Sequence, residues 1–288
     1  MSFSVQIGLL LALATALTSI VGFLLKHRGA VQSPPVELRR PVATSLALFR
    51  ARAYTIGIIV ATASWGLHVA ALALAPISLV QTVIAGGLAL LTVIADRAFG
   101  YSVTRREWIG VALTAFGLAF LASTMSGVAH DRHSDYEAGV LATYIGIAAG
   151  GGLLAAFGAR RILAGGPALA ASAGLLWGAS DVSIKALSGH LDSGALGWIH
   201  PLALVILFAS LIGLAVSARS LQVGDAVPVI AITSATANLV TIASGPIVFG
   251  EPMPDDPLGV VVRLLAFALV ITASALTPPP LRAVEEPA

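Results

Sequence analysis

The sequence predicts an all-α integral membrane protein with about nine transmembrane helices in two inverted structural repeats and a short interfacial helix. The first observation behind this is composition: of 288 residues, 57% are hydrophobic and only 10% are charged, against roughly a quarter in a soluble domain. A soluble fold of this length could not bury so much apolar surface. The others are the length of the apolar runs and the distribution of basic residues. Together they exclude a cytoplasmic enzyme and a nucleic-acid binder.

Nine stretches each supply the ~20 mostly apolar residues that a helix needs to cross a bilayer core. They cover residues 5–25, 54–75, 77–97, 107–124, 138–157, 167–187, 197–217, 227–249 and 258–276. None shows the alternation of a barrel strand, so helices are favoured. The first stretch could be a signal peptide, but Lys26, His27 and Arg28 follow it without a small-residue cleavage site. We interpret it as a retained helix.

Basic residues fix the expected orientation. Of 16 Lys and Arg residues, 13 fall in or beside connections on the same side of the nine-span plan or in the tail. The positive-inside rule then places the N-terminus outside the cell membrane and the C-terminus in the cytoplasm. The opposite side is acidic. These acids would concentrate cations at that surface, or they are present only because connections outside the membrane must be polar. Its acids are Asp131, Asp135, Glu137, Asp192, Glu251, Asp255 and Asp256.

The chain is expected to form one transmembrane domain over residues 1–276, with repeat halves near 1–128 and 138–276 and a short cytoplasmic tail at 277–288. The run 42–49 lies between arginines and is too short to cross the bilayer. It fits an interfacial helix whose arginines reach lipid phosphates. A degenerate tenth span within 31–53 is the alternative.

Two internal similarities indicate the repeats. The segment from LALAPISLVQ to REWIGVALTAFGLAFLAS resembles the segment from SLQVGDAVPVI to DPLGVVVRLLAFALVITAS about 150 residues later, and SIVGFLLK resembles ASDVSIK. The intervals span an odd number of helices, so corresponding helices run in opposite directions. Inverted repeats are typical of transporters. Chance similarity between Ala- and Leu-rich helices is the alternative.

These segments also carry a family resemblance. The basic run Lys26-His27-Arg28-Gly29-Ala30, LALAPISLVQ, RREWIGVALTAFGLAFL and HPLALVILFASLIGLAVSARSLQVGDAVPVI resemble the EamA-like branch of the drug/metabolite transporter superfamily. The chain is also similar to that superfamily's nine-helix NIPA-type magnesium transporters. The resemblance covers about residues 5–276. It implies a permease of inverted halves that moves small solutes by alternating access, without naming a solute. The chain departs from the family where its first half lacks a span, and where Gly100-Tyr101 lacks the acid of Gly250-Glu251.

Polar groups inside predicted spans are the candidate substrate-binding residues, because a charge at the bilayer centre costs ~2.5–3.5 kcal/mol on insertion scales. Asp181 and Lys185 are four residues apart on one helix face, so they can pair. His68 lies at the depth of Asp181. We hypothesise that one central cavity, open to the outer side, is lined by Trp65, His68, Gln81, Trp177, Asp181, Lys185 and Asn238.

Each candidate has a structural alternative. Asp181 and Lys185 could be a self-neutralised pair, His68 could bond a backbone carbonyl, and Asn238 could join helices. No catalytic residue, cofactor or metal site is predicted: the chain has no cysteine, and the run 130–137, although rich in His and Asp, has the features of a solvated connector. The expected partners are a small-molecule or cation substrate and the lipid bilayer. A homodimer is left open, and no nucleic-acid partner is expected.

Three classes of function stay open. A secondary carrier with coupling through Asp181 and His68 is the first. A magnesium or other divalent-cation pathway ranks second. Hard cations need several oxygen ligands, and a single intramembrane carboxylate supplies too few. A non-transporting membrane subunit or an intramembrane enzyme is the third, and no motif supports the enzyme.

Overall fold

The computed structural model describes residues 2–34, 46–87, 104–123, 133–158, 165–190, 200–224 and 226–276, and the regular structure of these parts is helical throughout. We number the helices in chain order. They are α1 Phe3–Val31, α2 Arg52–Leu74, α3 Ile77–Gly87, α4 Arg105–Ser123, α5 Ala138–Gly158, α6 Gly165–Ser188, α7 Pro201–Val223, α8 Ala226–Val248 and α9 Pro257–Leu276. The prediction of an all-helical protein is confirmed.

Each predicted span overlaps one of these helices, although only 77–87 of the third predicted span, 77–97, belongs to the described residues. The helix ends follow from local chemistry. Ser2 caps α1 by accepting a hydrogen bond from the Val5 N–H at 3.4 Å. The seventh span begins at 201 rather than 197, because Pro201 takes the first helical position and the His200 side chain caps it. Asp256 caps α9 by accepting from the Gly259 N–H at 2.6 Å.

Five helices of the described residues are long and apolar enough to cross a membrane. Their apolar portions are Phe3–Gly22, Arg52–Leu74, Ala138–Gly158, Pro201–Val223 and Val229–Val248. Large apolar side chains such as Ile147 and Leu154 on α5 are about three-quarters exposed, at 72% and 75%. Such a surface is stable against lipid tails rather than water. The molecule is a membrane-embedded helical protein.

Helix α6 is the central element, and most of its side chains are buried. It packs against α5, α7, α8 and α2, while α1 packs against α2 and α7, and α4 packs against α9. Two glycines of α6 allow α8 to pack close to it. A Cβ on Gly174 would lie 2.6 Å from the Thr233 carbonyl oxygen, and one on Gly178 would lie 2.7 Å from the Val240 side chain. Small residues at such crossings are the usual means of packing helices in a bilayer.

Some predictions fall on other parts of the chain. Residues 46–48 are helical, whereas 42–45, the rest of the expected interfacial helix, lie outside the described residues. The same is true of Gly100-Tyr101, of Asp131, of Asp192 and of the tail 277–288.

Candidate functional site

The break between α2 and α3 creates the first polar requirement in the interior. Helix α2 ends at Leu74, Ala75 is extended with φ −139° and ψ 159°, and α3 begins just after Pro76. Proline lacks an N–H and disfavours a helical residue before it. The last carbonyls of α2 and the first N–H groups of α3 therefore need partners from elsewhere.

Lys185 of α6 supplies partners for the end of α2. Its ammonium donates hydrogen bonds to the carbonyl oxygens of Leu72 and Ala75, each at 2.8 Å, and the side chain is fully buried. A cation at this position also meets the negative end of the helix dipole. The sequence suggested that Lys185 pairs with Asp181. The contacts shown for Lys185 are these two carbonyls, and its pairing with Asp181 stays a prediction.

Glu251 supplies the partner for the start of α3. Its carboxylate accepts a hydrogen bond from the Ser78 N–H at 3.2 Å and a second from the Ser78 hydroxyl. The Glu251 residue is only 4% exposed. Burial raises the pKa of Glu251, whereas the hydrogen bonds from Ser78 and the positive charges of Lys185 and His133 act to lower it. We call Ser78, Lys185 and Glu251 the break network.

The connection from α8 to α9 turns Glu251 inward. Gly250 has φ +58°, which side-chain-bearing residues rarely adopt, and the Glu251 N–H donates to the Gly245 carbonyl at 3.1 Å. A Cβ on Gly245 would overlap the Glu251 carboxylate. The sequence grouped Glu251 with the acids of the outer face, but its side chain is buried, so it adds nothing to that surface. Its flanking Gly250 and Pro252 were the available signal for a tight turn.

Three of the seven predicted side chains contact one another one helical turn away from the break network. His68 Nε2 of α2 lies 3.2 Å from one carboxylate oxygen of Asp181, and the Gln81 amide nitrogen of α3 donates to the other at 3.2 Å. The Gln81 nitrogen also lies 3.4 Å from His68 Nε2. A carboxylate only accepts, so His68 Nε2 donates to Asp181 when it carries the proton, whereas the Gln81 nitrogen can donate to Nε2 only when it does not. We call His68, Gln81 and Asp181 the triad.

The triad can do two things chemically. Each Asp181 oxygen has one donor and keeps a further lone-pair direction, so the carboxylate can take a cation or a hydrogen-bond donor in place of these side chains. Each ring nitrogen of an imidazole can either donate or accept a hydrogen bond, so His68 can exchange one partner for another beside the carboxylate. Side-chain exposures of 9% for His68 and 17% for Asp181 place both in the interior.

The other predicted residues lie apart from the triad in the contacts shown. Trp65 is 45% exposed on the outer surface of α2. Trp177 points toward Gly213 of α7, within 3.6 Å of a Cβ placed there, and its buried indole nitrogen has no hydrogen-bond partner among the described residues. Asn238 is buried on α8, with no side-chain hydrogen bond to the triad in the described part of the chain. Their binding roles stay predictions.

Sequence reasoning missed Ser78 as a site residue and gave Glu251 only a surface role. Ser78 is the second residue of α3, and serine is common near helix starts, so its position alone does not single it out. Within the described ranges, no cluster of three or more His, Asp or Glu residues could hold a metal ion.

Comparison with known proteins adds no relative. No protein-family model matches the chain, no curated protein matches it, and no solved structure matches its fold. The resemblance to EamA-like and NIPA-type permeases therefore rests on the sequence motifs alone. What the geometry itself establishes is a membrane-embedded helical bundle whose interior holds a carboxylate, an imidazole and an amide in mutual contact.

Proposed function

We propose that this protein is a secondary membrane transporter that moves a small solute, with proton coupling at the triad. The observation that carries the proposal is Asp181 in contact with His68 and Gln81 inside the bundle. An ionisable side chain in that environment is costly, and in membrane proteins such groups mark ion, proton and substrate pathways. Three different helices contribute, so relative movement of the helices would open or close the site.

The pattern of helix packing supports inverted halves. If α1 corresponds to α6 and α2 to α7, the pair α1–α2 maps onto α6–α7, and both pairs pack. The same correspondence exchanges α1–α7 with α6–α2, and these two pairs also pack. A shift of five helices reverses the direction of each span, as alternating access between two similar halves requires.

The proposed topology has nine spans, with the N-terminus outside and the C-terminus in the cytoplasm. It rests on the apolar runs and on the positive-inside rule. In this orientation the break network lies toward the outer side and the triad one turn deeper. The location proposed is the cell membrane. A homodimer is compatible with this arrangement but has no observation of its own.

The proposed mechanism is competition for one carboxylate. In one state Asp181 is held by His68 and Gln81. In the other, a cationic or hydrogen-bond-donating solute occupies the carboxylate, and His68 carries or releases the coupling proton. Magnesium is the less favoured cargo, since the triad offers one carboxylate and one amide oxygen where hard cations take six or more oxygens.

Asp181→Asn tests the proposal because it removes the charge and keeps the shape. We expect reconstituted Asp181→Asn protein to lose proton-coupled uptake by at least about 100-fold, the loss typical of a positioned acid–base group. The measurement is the lumenal pH of proteoliposomes, reported by trapped pyranine, after addition of organic amines, amino acids or MgCl₂ in turn.

Asp255→Asn is the matched control, since it makes the same charge change at an exposed residue, and it should behave as the parent. Parent rates in Asp181→Asn would place the transport site elsewhere. Absence of proton movement in the parent with every solute, or movement with MgCl₂ alone, would contradict the proton-coupled carrier.

A further inference from the structure

The break network and the triad share two helices, α3 and α6, on which their residues lie one turn apart. Lys185 also binds the end of α2, the helix that carries His68. Asp181 and Lys185 are four residues apart on α6, and Ser78 and Gln81 are three apart on α3. On α2, His68 lies four residues before Leu72, whose carbonyl Lys185 binds. Helical residues at these spacings lie on one face. A movement that separates the break network therefore changes the surroundings of the triad.

The break network closes this end of the bundle. Exposures of 2% for Ser78, 0% for Lys185 and 4% for Glu251 leave these three residues almost without water contact. The closure joins distant parts of the chain, because Glu251 belongs to the connection between α8 and α9 while Ser78 belongs to α3. Solute reaching Asp181 from this end would have to pass between them.

The groups that face Glu251 come from several elements. Lys185 lies on α6, His133 precedes α5, and Ser78 donates from α3. Arg263 of α9 interacts electrostatically with Glu251 and donates a hydrogen bond to the Pro252 carbonyl. These groups favour the ionised carboxylate, and burial disfavours it more strongly. A closed end therefore binds a proton at Glu251 more tightly than an open, hydrated end does.

We propose that Glu251 is a proton-binding site that controls this end of the transporter, holding a proton when the end is closed and releasing it to water when the end opens. The inference rests on the proposed function, since the gate serves the triad. On opening, the carboxyl O–H bond breaks and the proton passes to the solvent on this side. On closing, one proton is taken from the same side. In the proposed orientation that side is the outer one.

Only one of the two repeat halves has an acid at this position. Gly250-Glu251 aligns with Gly100-Tyr101 in the internal repeat, and the first half has no acid there. A proton requirement for closure is therefore expected at one end of the molecule only. Proton concentration on that side would set how often the end stands open.

Accessibility of a cysteine measures the gate directly, because the natural chain has no cysteine. Thr82→Cys is a suitable reporter, since Thr82 has 0% exposure and lies one turn below Ser78 on α3. The reporter protein in lipid nanodiscs is labelled with a maleimide between pH 5.5 and 8.5. Each rate is divided by the rate for the same thiol in unfolded protein, which removes the effect of thiol ionisation.

We expect the normalised labelling rate to rise at least about tenfold with pH when Glu251 is present. Glu251→Gln, which resembles the protonated carboxyl, should keep the rate low and independent of pH. Ser78→Ala should shift the rise to higher pH, because it removes a donor that favours the ionised form. Asp255→Asn, which changes an exposed acid of the same connection, should match the parent reporter.

Equal pH dependence with and without Glu251→Gln would overturn the proposal. If Glu251→Gln does not fold, Ser78→Ala decides: a shift to higher pH supports the proposal, and an unchanged curve overturns it. The assay needs no transported solute. If labelling depends on pH and Glu251 but no variant transports a solute, the proposed function is rejected and the gate is not. If uptake depends on Asp181 but the labelling rate does not change with pH, the gate is rejected and the proposed function is not.

Discussion

The break network and the triad are neighbours that solve different problems. In the break network, ionisable side chains meet the backbone: Lys185 binds two carbonyls at the end of α2, and Glu251 binds the N–H at the start of α3. In the triad, side chains meet only one another. The backbone groups at the α2–α3 break are present whatever the protein does, so their partners are structurally required. Nothing in the backbone requires the triad.

This difference separates stability from function. Loss of the Lys185 or Glu251 side chain leaves buried backbone groups without the hydrogen bonds shown for them, at a cost of about 1–3 kcal/mol for each group. Loss of a triad side chain leaves other side chains that can reorient. A polar residue inside a membrane bundle is therefore better judged by what it contacts than by its charge.

The largest effect on stability is expected from Lys185→Met, which keeps the length of the side chain and removes its donors. Two carbonyls of α2 would lose a hydrogen bond, so the free energy of unfolding should fall by about 2–5 kcal/mol. Asp181→Asn should change it by only about 1 kcal/mol. The measurement is thermal unfolding in the same detergent. A larger loss for Asp181→Asn than for Lys185→Met would reverse the distinction between the two clusters.

A smaller effect is expected from Gly245→Ala. The added Cβ would overlap the Glu251 carboxylate, and overpacking of this kind costs about 1–3 kcal/mol. Gly150→Ala on α5 is the matched control, because a Cβ there meets nothing within 4 Å and alanine favours a helix. Both are compared by melting temperature. If the two variants melt alike, Glu251 is free to move aside, and its position contributes little to stability.

The smallest effect is expected from Trp177→Phe. Trp177 is on the same helix as Asp181, but its buried indole N–H lacks a hydrogen-bond partner among the described residues. Removing that donor should offset the loss of ring surface, leaving the free energy of unfolding within about 1 kcal/mol of the parent. Solute uptake should also stay at the parent rate. Loss of uptake with unchanged stability would instead assign Trp177 to the binding site.

The sequence was sufficient for the helices and insufficient for the contacts between them. Apolar runs are local, so they predict where helices lie. Depth along a span brought His68 and Asp181 to the same level, but depth cannot show which way a side chain points. Trp65, three residues before His68 on α2, was placed in the same cavity, but its side chain is on the surface with 45% exposure.

The break network shows why the rest could not be predicted. The bond between Ser78 and Glu251 joins residues 173 positions apart, and it forms because a turn at Gly250 directs a connection into the bundle. The spacing of Asp181 and Lys185 suggested a pair, but it could not show that Lys185 also binds carbonyls at the end of α2, whose position depends on the tertiary fold. Backbone groups left by a helix break are a requirement that charge patterns do not reveal.

The partners of Lys185 also bear on the order in which the protein is built into the membrane. Helix α6 carries both Asp181 and Lys185, each worth ~2.5–3.5 kcal/mol against insertion, and it is not among the five helices apolar enough to cross a bilayer by composition. The carbonyls and side chains that accommodate these charges belong to α2 and α3, which are synthesised earlier. We therefore expect α6 to insert into the membrane by packing against helices that are already inserted. Correct insertion of the second half then depends on prior folding of the first half.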